Sequence, residues 1–260
     1  MRLDRLGLRV YAGVRTEAQA QELRTHGSGR ITPVLLDVTD EACVSAAAAL
    51  ITEGQSGLDG LVNNAGVAVG GPLEHLPLQA WREQLEVNVL GQVAVTKAML
   101  PLIRAGGGRI VFMGSISGKI ATMMTGPYCA SKFALEAISE SLRHELHPWR
   151  IHVSVIEPGA VKTPIWDKAR QDADDGEREL PAQARADYAR HITAIRKDID
   201  MQARHGTHPQ RVAKAVEHAL LSPRPQTRYL VGADARIQNA MLRWLPDKPR
   251  EAIIRKIAGP

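Results

Sequence analysis

Cysteine is scarce in this chain of 260 residues, which contains only Cys43 and Cys129. Two cysteines cannot form a disulfide framework, and such scarcity is typical of proteins from a reducing compartment. Long apolar runs are also lacking, and none approaches the roughly 20 residues that a membrane-spanning helix needs. The N-terminal residues contain no apolar region of the kind found in signal peptides. These absences predict a cytoplasmic protein without a membrane span.

Aromatic residues make up only 4% of the chain, so the core must consist mainly of alanine, valine, leucine and isoleucine. The net charge of +5 is compatible with nucleic-acid binding. However, the arginines are scattered and no basic run alternates with aromatic residues, which favours a basic surface or an anionic cofactor instead. His144 and His147 do not match the spacing of a helical zinc motif. We therefore predict neither a nucleic-acid partner nor a metal site.

Apolar runs alternate with helical patterns along the chain, which is typical of a parallel sheet covered by helices on both faces. The predicted strands cover residues 8–14, 32–36, 58–62, 109–113, 151–156 and 228–231. The two longest predicted helices cover 78–104, with Trp81, Leu85, Val89 and Leu90 toward the core, and 128–147. Thr39 and Thr207 are predicted helix caps. We predict a single doubly wound α/β domain over residues 1–260, with a helical insertion at about 164–205 that caps a cleft.

Tyr128 and Lys132 are spaced i, i+4 on a predicted helix, so their side chains project from the same face. An ammonium group stabilises a neighbouring phenolate, and we expect Lys132 to lower the pKa of Tyr128 toward the working pH. Such a phenol exchanges a proton with an alcohol or a ketone. Ser115 supplies a hydroxyl that can bind the same oxygen. Alone, Y-x-x-x-K is a weak motif, because chance and surface pairing explain most of its occurrences.

Further segments accompany this pair and make the pattern specific. They are Asn64-Ala65-Gly66 after an apolar run, Asn88 within 87–91, Gly114-Ser115 after another apolar run, and the stretch 158–163. In this order and spacing the chain resembles the short-chain dehydrogenase/reductase family over roughly residues 8–230. Residues 10–15 and 128–135 resemble the branch of the family that acts on steroids, retinoids and similar secondary alcohols. The resemblance implies a Rossmann-like fold and a nicotinamide cofactor.

The resemblance implies a role for each matching catalytic residue. Tyr128 would be the general acid and base, and Ser115 would orient and polarise the substrate oxygen. Lys132 would lower the pKa of the phenol and hold the nicotinamide ribose. Asn88 would position a water molecule that links the lysine to solvent. An asparagine inside a helix is otherwise unfavourable, because its side chain competes for backbone hydrogen bonds.

The resemblance also implies a set of cofactor-binding residues. Asp37 and Val38 would lie beside the adenine, and Asn64, Ala65 and Gly66 would lie along the adenosine ribose. The nicotinamide carboxamide would be held by Pro158, Gly159, Val161 and Thr163. Tyr128 and Lys132 would also bind the cofactor. Cofactor choice is expected at the end of the strand 8–14, where an acidic residue would repel a 2′-phosphate and an arginine would attract it. Val14 occupies the expected acidic position and Arg15 follows it. NADP(H) is therefore favoured over NAD(H), and an arginine without cofactor contact is the alternative.

Glycine is lacking where a dinucleotide-binding fold needs it. Gly7, Gly13, Gly27 and Gly29 match neither G-x-G-x-x-G nor the glycine-rich turn of the family. We therefore expect the fold to lack its usual first strand and phosphate loop. One explanation is a start codon assigned too late or a truncated chain. The other is a protein in which cofactor binding is weakened or lost.

These observations predict an oxidoreductase that transfers a hydride between NADP(H) and a secondary alcohol or ketone. The mixed apolar and charged content of 164–205, which includes Ile165, Trp166, Tyr188 and Ile192, suits a bulky lipophilic substrate such as a steroid or retinoid. The family implies a homodimer or homotetramer formed through the helices at 78–104 and 128–147. The alternative is a catalytically impaired homologue that acts as a scaffold or oligomerisation partner. An epimerase or dehydratase is disfavoured, because the chain lacks a large C-terminal substrate domain.

Overall fold

The computed structural model describes residues 1–258, and its first part alternates strands and helices. The elements are α1 (Arg2–Arg5), β1 (Val10–Val14), α2 (Glu17–His26), β2 (Ile31–Leu35), α3 (Glu41–Gly54), β3 (Gly60–Asn63), α4 (Leu78–Leu85), α5 (Gly91–Gly106) and β4 (Arg109–Met113). A π-helical turn, Glu86–Leu90, joins α4 to α5. The predicted long helix is thus continuous in the chain, but it changes its winding where Asn88 lies.

The second part of the chain begins with a 3₁₀ turn, Ile116–Gly118, and ends in helices. The elements are α6 (Gly126–Glu145), β5 (His152–Pro158), α7 (Ile165–Glu179), α8 (Ala182–Asp187), α9 (Ala189–His205), α10 (Pro209–Leu221), β6 (Arg228–Val231), α11 (Ala233–Trp244) and α12 (Asp247–Ala258). The segment 164–205 is therefore helical, as its propensity predicts. Within residues 1–258, no helix is both long and apolar enough to cross a membrane.

The strands form two parallel sheets rather than one. β1 pairs with β2, and β3, β4, β5 and β6 pair in that order. Every pair is parallel, which confirms the predicted α/β class. Among the described residues nothing pairs β1 with β3, and a cleft of about 1270 Å³ is lined by both strands. The interruption lies where a fold without its usual first strand is expected to have a gap.

β4 and β5 form the buried centre of the larger sheet. Phe112 of β4 packs against Leu135 of α6, whereas its neighbour Val111 packs against Ala219 of α10. Because successive strand residues point to opposite faces, helices cover both faces of this sheet. A strand buried on both faces has an uninterrupted apolar sequence, which is why Arg109–Met113 could be predicted to the residue. This core fixes the carboxyl ends of β4 and β5 side by side.

The side-chain positions predicted for the long helix are partly wrong. Leu90 is 55% exposed, whereas Asn88 is fully buried. A π-helical turn contains one more residue per hydrogen-bonded turn than an α-helix, so it rotates the faces of the helix that follows. The apolar periodicity therefore does not continue through 86–90. The polar residue, and not the leucine, points into the protein.

Both predicted helix caps are displaced by one residue. Asp40, and not Thr39, caps α3, because its carboxylate accepts hydrogen bonds from the backbone N–H groups of Ala42 and Cys43 at 2.8 and 3.2 Å. His208, and not Thr207, caps α10. A carboxylate accepts more strongly from helix N–H groups than a hydroxyl does, which explains the preference for Asp40.

Candidate active site

The candidate site lies where neighbouring strands end. Ser115 follows β4 and is only 7% exposed, and its hydroxyl lies 3.5 Å from the carbonyl oxygen of Pro158 at the end of β5. The serine oxygen also accepts a hydrogen bond of 3.1 Å from the backbone N–H of Ser117. Carboxyl ends of adjacent parallel strands meet at one edge of a sheet, which is where open α/β folds bind ligands. The short turn after β4 therefore fixes the serine at that edge.

Lys132 fastens helix α6 to the same edge. Its ammonium group donates a hydrogen bond of 2.7 Å to the carbonyl oxygen of Met113, the last residue of β4, and lies 5.6 Å from the centre of the Tyr128 ring. The lysine is only 6% exposed. Burial disfavours the charged form and lowers the pKa of Lys132 to about 8. The i, i+4 spacing thus brings the two side chains together, as predicted.

The predicted effect of Lys132 on Tyr128 is wrong for this structure. Burial raises the pKa of the Tyr128 phenol above its usual value, and a hydrogen bond with Ser115 opposes that rise. The lysine does not counter the burial, because its ammonium is directed at the carbonyl of Met113 and is itself desolvated. Tyr128 is therefore a protonated phenol near neutral pH.

Asn88 joins the loop after β3 to the catalytic helix. Its amide oxygen accepts from the Val67 N–H at 2.8 Å, and its amide nitrogen donates to the Val67 carbonyl at 3.0 Å and to the Ser131 hydroxyl at 3.1 Å. Both amide hydrogens are thus used within the protein. The role that the resemblance implies, positioning a water molecule near Lys132, stays a prediction. The contacts that are present hold the backbone on which the site is built.

Gln84 and Gln92 lie one turn before and one turn after Asn88, and sequence reasoning missed both. Gln84 accepts from the Val69 N–H at 2.7 Å and donates to the Val67 carbonyl at 2.8 Å, while Gln92 donates to the Ala65 carbonyl at 2.8 Å. The three amides, which we call the amide row, therefore bind the backbone of 65–69. Their i, i+4, i+8 spacing puts them on one face of the helix, but spacing alone does not distinguish a buried polar face from a solvated one.

The cleft between the two sheets brings together most of the predicted cofactor residues. Those that line it are Arg15, Asp37, Val38, Asn64, Ala65, Gly66, Pro158, Val161 and Thr163. Gly159 does not line the cleft. Any side chain at Gly159 would collide with the Asp234 carboxylate, which accepts a 2.7 Å hydrogen bond from the Ala160 N–H. Asp234, which holds the 158–163 loop from behind, was not predicted.

Arg15 and Asp37 both line the cleft. The pKa of the Asp37 carboxyl is lowered chiefly by hydrogen bonds from Thr39, with a smaller contribution from the positive charge of Arg15. The hydroxyl and N–H of Thr39 reach that carboxylate at 2.7 and 2.9 Å. A carboxylate and a guanidinium therefore lie near each other in the lining of the cleft.

The residues present suit the two ends of a nicotinamide dinucleotide. Asp37 and Val38 lie on the side of the smaller sheet and could hold the adenosine, while Pro158, Val161 and Thr163 lie on the side of β5 and could hold the nicotinamide. The glycine-rich turn that normally binds the pyrophosphate has no counterpart within residues 1–258. Within the same part of the chain, no three histidine, cysteine or acidic side chains are grouped to hold a metal ion.

Comparison with known proteins identifies the class. Residues 1–174 match the family model described as short chain dehydrogenase. The chain belongs to the short-chain dehydrogenase family, and it is an NAD(P)-dependent oxidoreductase of that family. Its similarity to curated relatives places it in the branch that contains steroid and retinol dehydrogenases. The predicted family, branch and enzyme class are thereby confirmed.

Two curated relatives illustrate the branch. The chain is 38% identical over 259 residues to 17-beta-hydroxysteroid dehydrogenase type 6 from Bos taurus, covering 97% of this chain and 81% of that protein. It is 37% identical over 259 residues to retinol dehydrogenase 16 from Homo sapiens, with the same coverage of 97% and 81%. None of these comparisons supports the alternative of a scaffold protein.

Solved structures agree on the fold. A short chain dehydrogenase from Burkholderia cenocepacia in complex with NADP superposes with a TM-score of 0.70 at 25% identity, covering 97% of this chain and 87% of that one. The closed form of serine dehydrogenase complexed with NADP⁺ gives a TM-score of 0.73 at 27% identity, covering 88% and 87%. The predicted Rossmann-like architecture is thereby confirmed.

Proposed function

We propose that the protein transfers a hydride between NADP(H) and a secondary alcohol or ketone, with Ser115, Tyr128 and Lys132 as the catalytic residues. The convergence of these side chains at the carboxyl ends of β4 and β5, beside the cleft, carries this proposal. The nicotinamide supplies or accepts the hydride. The protein supplies orientation and the path of the proton.

In the direction of reduction, the Ser115 hydroxyl binds the carbonyl oxygen and Tyr128 gives its proton to that oxygen as negative charge develops on it. Burial raises the pKa of Tyr128, so the phenol carries the proton that reduction needs at neutral pH. Lys132 would hold the cofactor ribose through the ammonium group that donates to the carbonyl oxygen of Met113 in this structure. The raised pKa of the phenol supports reduction as the favoured direction near neutral pH.

The cap, which comprises α7, α8 and α9, supports a lipophilic substrate. Ile165 is 48% exposed and lies two residues after Thr163, which lines the cleft. The Trp166 indole donates a hydrogen bond of 2.7 Å to the carbonyl of Val161, so the first turn of the cap is fixed to the nicotinamide loop. The relatives are named as hydroxysteroid and retinol dehydrogenases, and we propose a bulky lipophilic alcohol here, with a steroid-like secondary alcohol favoured over the primary alcohol of a retinol.

Two further elements belong to the proposal. NADP(H) is favoured over NAD(H) because Arg15 is a cation that lines the cleft and Val14 occupies the position at the end of β1 where an acidic residue would repel a 2′-phosphate. A homodimer or homotetramer is favoured because Leu90 and Phe133, on the two helices expected to form the interface, are 55% and 44% exposed. An equilibrium sedimentation measurement tests the oligomer directly.

The decisive experiment combines cofactor titration with turnover. NADPH and NADH fluorescence titrations are made on this chain and on a form that carries a β-strand and a glycine-rich turn ahead of Met1. Turnover of a steroid ketone and of retinaldehyde is measured wherever binding occurs. Tyr128→Phe should bind NADPH like the parent and lose turnover by at least about a hundredfold.

Retained turnover in Tyr128→Phe would refute the mechanism. Binding only by the extended form would support the enzyme and attribute the deficit to the missing phosphate loop. If this chain and the extended form are both folded and neither binds NADPH or NADH, the proposal is refuted and the scaffold alternative is favoured. Binding by the chain as it stands would show that the cleft holds the dinucleotide without that loop.

A further inference from the structure

A second cavity lies at the opposite edge of the larger sheet. It has a volume of about 630 Å³ and is formed by the end of α6, the turn His147–Trp149, the first residues of β5 and the loop before β6. β5 has seven residues, so this cavity is roughly 20 Å from the carboxyl end of the strand, where Pro158 lies. It is therefore separate from the catalytic cleft.

The two charged residues that line this cavity, Arg143 and Arg150, are both cationic. His147 and His152 also contribute to its lining, and no acidic residue among those described does so. Arg150 is exposed and has a left-handed backbone conformation with φ of 56°. The remaining wall is largely apolar and includes Pro148, Ile151 and Pro225. A basic rim around an apolar wall suits a ligand that is both anionic and apolar.

Arg143 is a half-buried cation without a carboxylate partner among the described residues. Its Nε donates to the carbonyl of Val153 at 3.2 Å, and its Nη2 is buried without a hydrogen-bond partner within residues 1–255. The nearby carboxylates of Glu136 and Glu140 are bound by Arg228 instead, at 3.0 and 3.2 Å. Burial, and then repulsion from Arg228, lower the pKa of Arg143, and the charges of Glu140 and Glu136 oppose this only in part. A desolvated guanidinium of this kind is stabilised by an anion.

We propose that this cavity binds a small organic anion, with its carboxylate at Arg143 and Arg150 and its apolar body against Pro148, Ile151 and Pro225. The inference does not depend on the proposed function, because none of these residues belongs to the cleft. Two arginines can bind a carboxylate through several N–H donors at once. The apolar wall then selects a carboxylate with a hydrocarbon body over a bare inorganic anion.

The test is calorimetric titration of the full chain with 2-naphthoate, with neutral 2-naphthylmethanol, and with inorganic phosphate, at constant ionic strength. Arg143→Gln removes the buried cation. Arg150→Asn removes the exposed one and keeps the left-handed backbone, which asparagine adopts readily. Arg185→Gln, on the exposed face of α8, is the matched control, and Arg15→Gln reports binding in the catalytic cleft. Far-ultraviolet circular dichroism checks the fold of each variant.

We expect naphthoate to bind at least about tenfold more tightly than naphthylmethanol and phosphate. Arg143→Gln and Arg150→Asn should each weaken naphthoate about tenfold, and Arg185→Gln and Arg15→Gln should not. Because Arg150 is exposed, its variant remains informative if Arg143→Gln does not fold. Equal binding of naphthoate and naphthylmethanol, or loss in Arg15→Gln alone, would overturn the proposal. Phosphate binding as tightly as naphthoate would overturn the choice of an organic anion.

Discussion

Lys132 and Met113 are joined by a hydrogen bond of 2.7 Å, from the buried ammonium of α6 to the carbonyl oxygen at the end of β4. Ser115 follows Met113 by two residues, so this bond sets the distance between helix α6 and the turn that contains the serine. It also leaves a lysine in surroundings that disfavour its charge, and burial lowers its pKa to about 8. The charge of this lysine, and with it the stability of the fold, therefore depends on pH near and above 8.

Replacing Lys132 by methionine should change how stability depends on pH. The lysine pKa is 10.5 when unperturbed and about 8 in the folded protein. Between these values the unfolded chain binds more protons, so the stability of the parent rises with pH. The full cost of the buried charge, about 3 kcal/mol, applies below pH 8. Urea unfolding should show that the free energy of unfolding of the parent, relative to that of Lys132→Met, increases by most of this ~3 kcal/mol between pH 7.5 and 10.

The control for this prediction is Lys97→Met, which removes an exposed lysine from helix α5. Tyr128 is present in every variant, so its titration cancels in the comparison. If the free energies of unfolding of the parent and Lys132→Met run parallel from pH 7.5 to 10, then the lysine is solvated and the described site geometry is wrong.

Asn88→Ala should destabilise the fold by about 3 kcal/mol. The change leaves the N–H of Val67 without its 2.8 Å acceptor and removes a donor from the Ser131 hydroxyl, in a region closed to water. Gln84 continues to bind the Val67 carbonyl, so the loop does not lose every contact. Chemical denaturation measures the difference.

Asn64→Ala is the matched control, because Asn64 is an exposed asparagine on the same loop and its loss should cost less than about 0.5 kcal/mol. Asn88→Asp should also destabilise, since a carboxylate cannot donate to the Val67 carbonyl. Stability of Asn88→Ala within 0.5 kcal/mol of the parent would contradict the structural role of the amide row.

The strands could be predicted because burial on both faces leaves an apolar run in the sequence. Arg109–Met113 needs no knowledge of its neighbours to be recognised. The amide row could not be predicted in the same way. Polar residues at helical spacing normally indicate a solvated face, and only the loop 65–69 packed against them makes Gln84 and Asn88 buried.

The proximity of Tyr128 and Lys132 could be predicted from their spacing, but their electrostatics could not. The i, i+4 spacing correctly predicts that Lys132 lies beside Tyr128. The direction in which the pKa of Tyr128 shifts depends on how deeply the phenol is buried, and this cannot be read from the sequence. Asp234 was missed for a similar reason. It lies more than seventy positions after Ala160, and only the folded chain brings its carboxylate to that backbone N–H.

Arg15→Gln should reduce the preference for NADPH. The guanidinium lines the mouth of the cleft, and loss of a charge-assisted contact to a phosphate should weaken NADPH binding about tenfold while leaving NADH unchanged. Fluorescence titration in the cofactor-binding form measures both constants. Arg24→Gln, on the exposed face of α2, is the control. An equal effect on both nucleotides would contradict a contact with the 2′-phosphate.

Lys119→Met should destabilise the protein by about 3 kcal/mol at neutral pH. Glu157 is completely buried at the end of β5, and the ammonium of Lys119 lies 2.6 Å from its carboxylate, while Arg228 lies 3.4 Å away. Removing the lysine leaves a buried carboxylate with a weaker counter-ion. The serine turn would also lose its tie to the strand that leads into Pro158.

The pH dependence and a second substitution distinguish this cause from lost packing. Burial raises the pKa of Glu157 above 4.5, so the cost of its ionised form is absent below pH 4.5 and grows as the pH rises through the folded value. The loss in Lys119→Met should therefore be smaller at pH 4.5 than at pH 7. The double variant Lys119→Met with Glu157→Gln should recover much of the stability at pH 7, because the uncompensated charge is gone. A loss that is independent of pH and additive with Glu157→Gln would mean that the methylenes of Lys119, and not its charge, stabilise the turn.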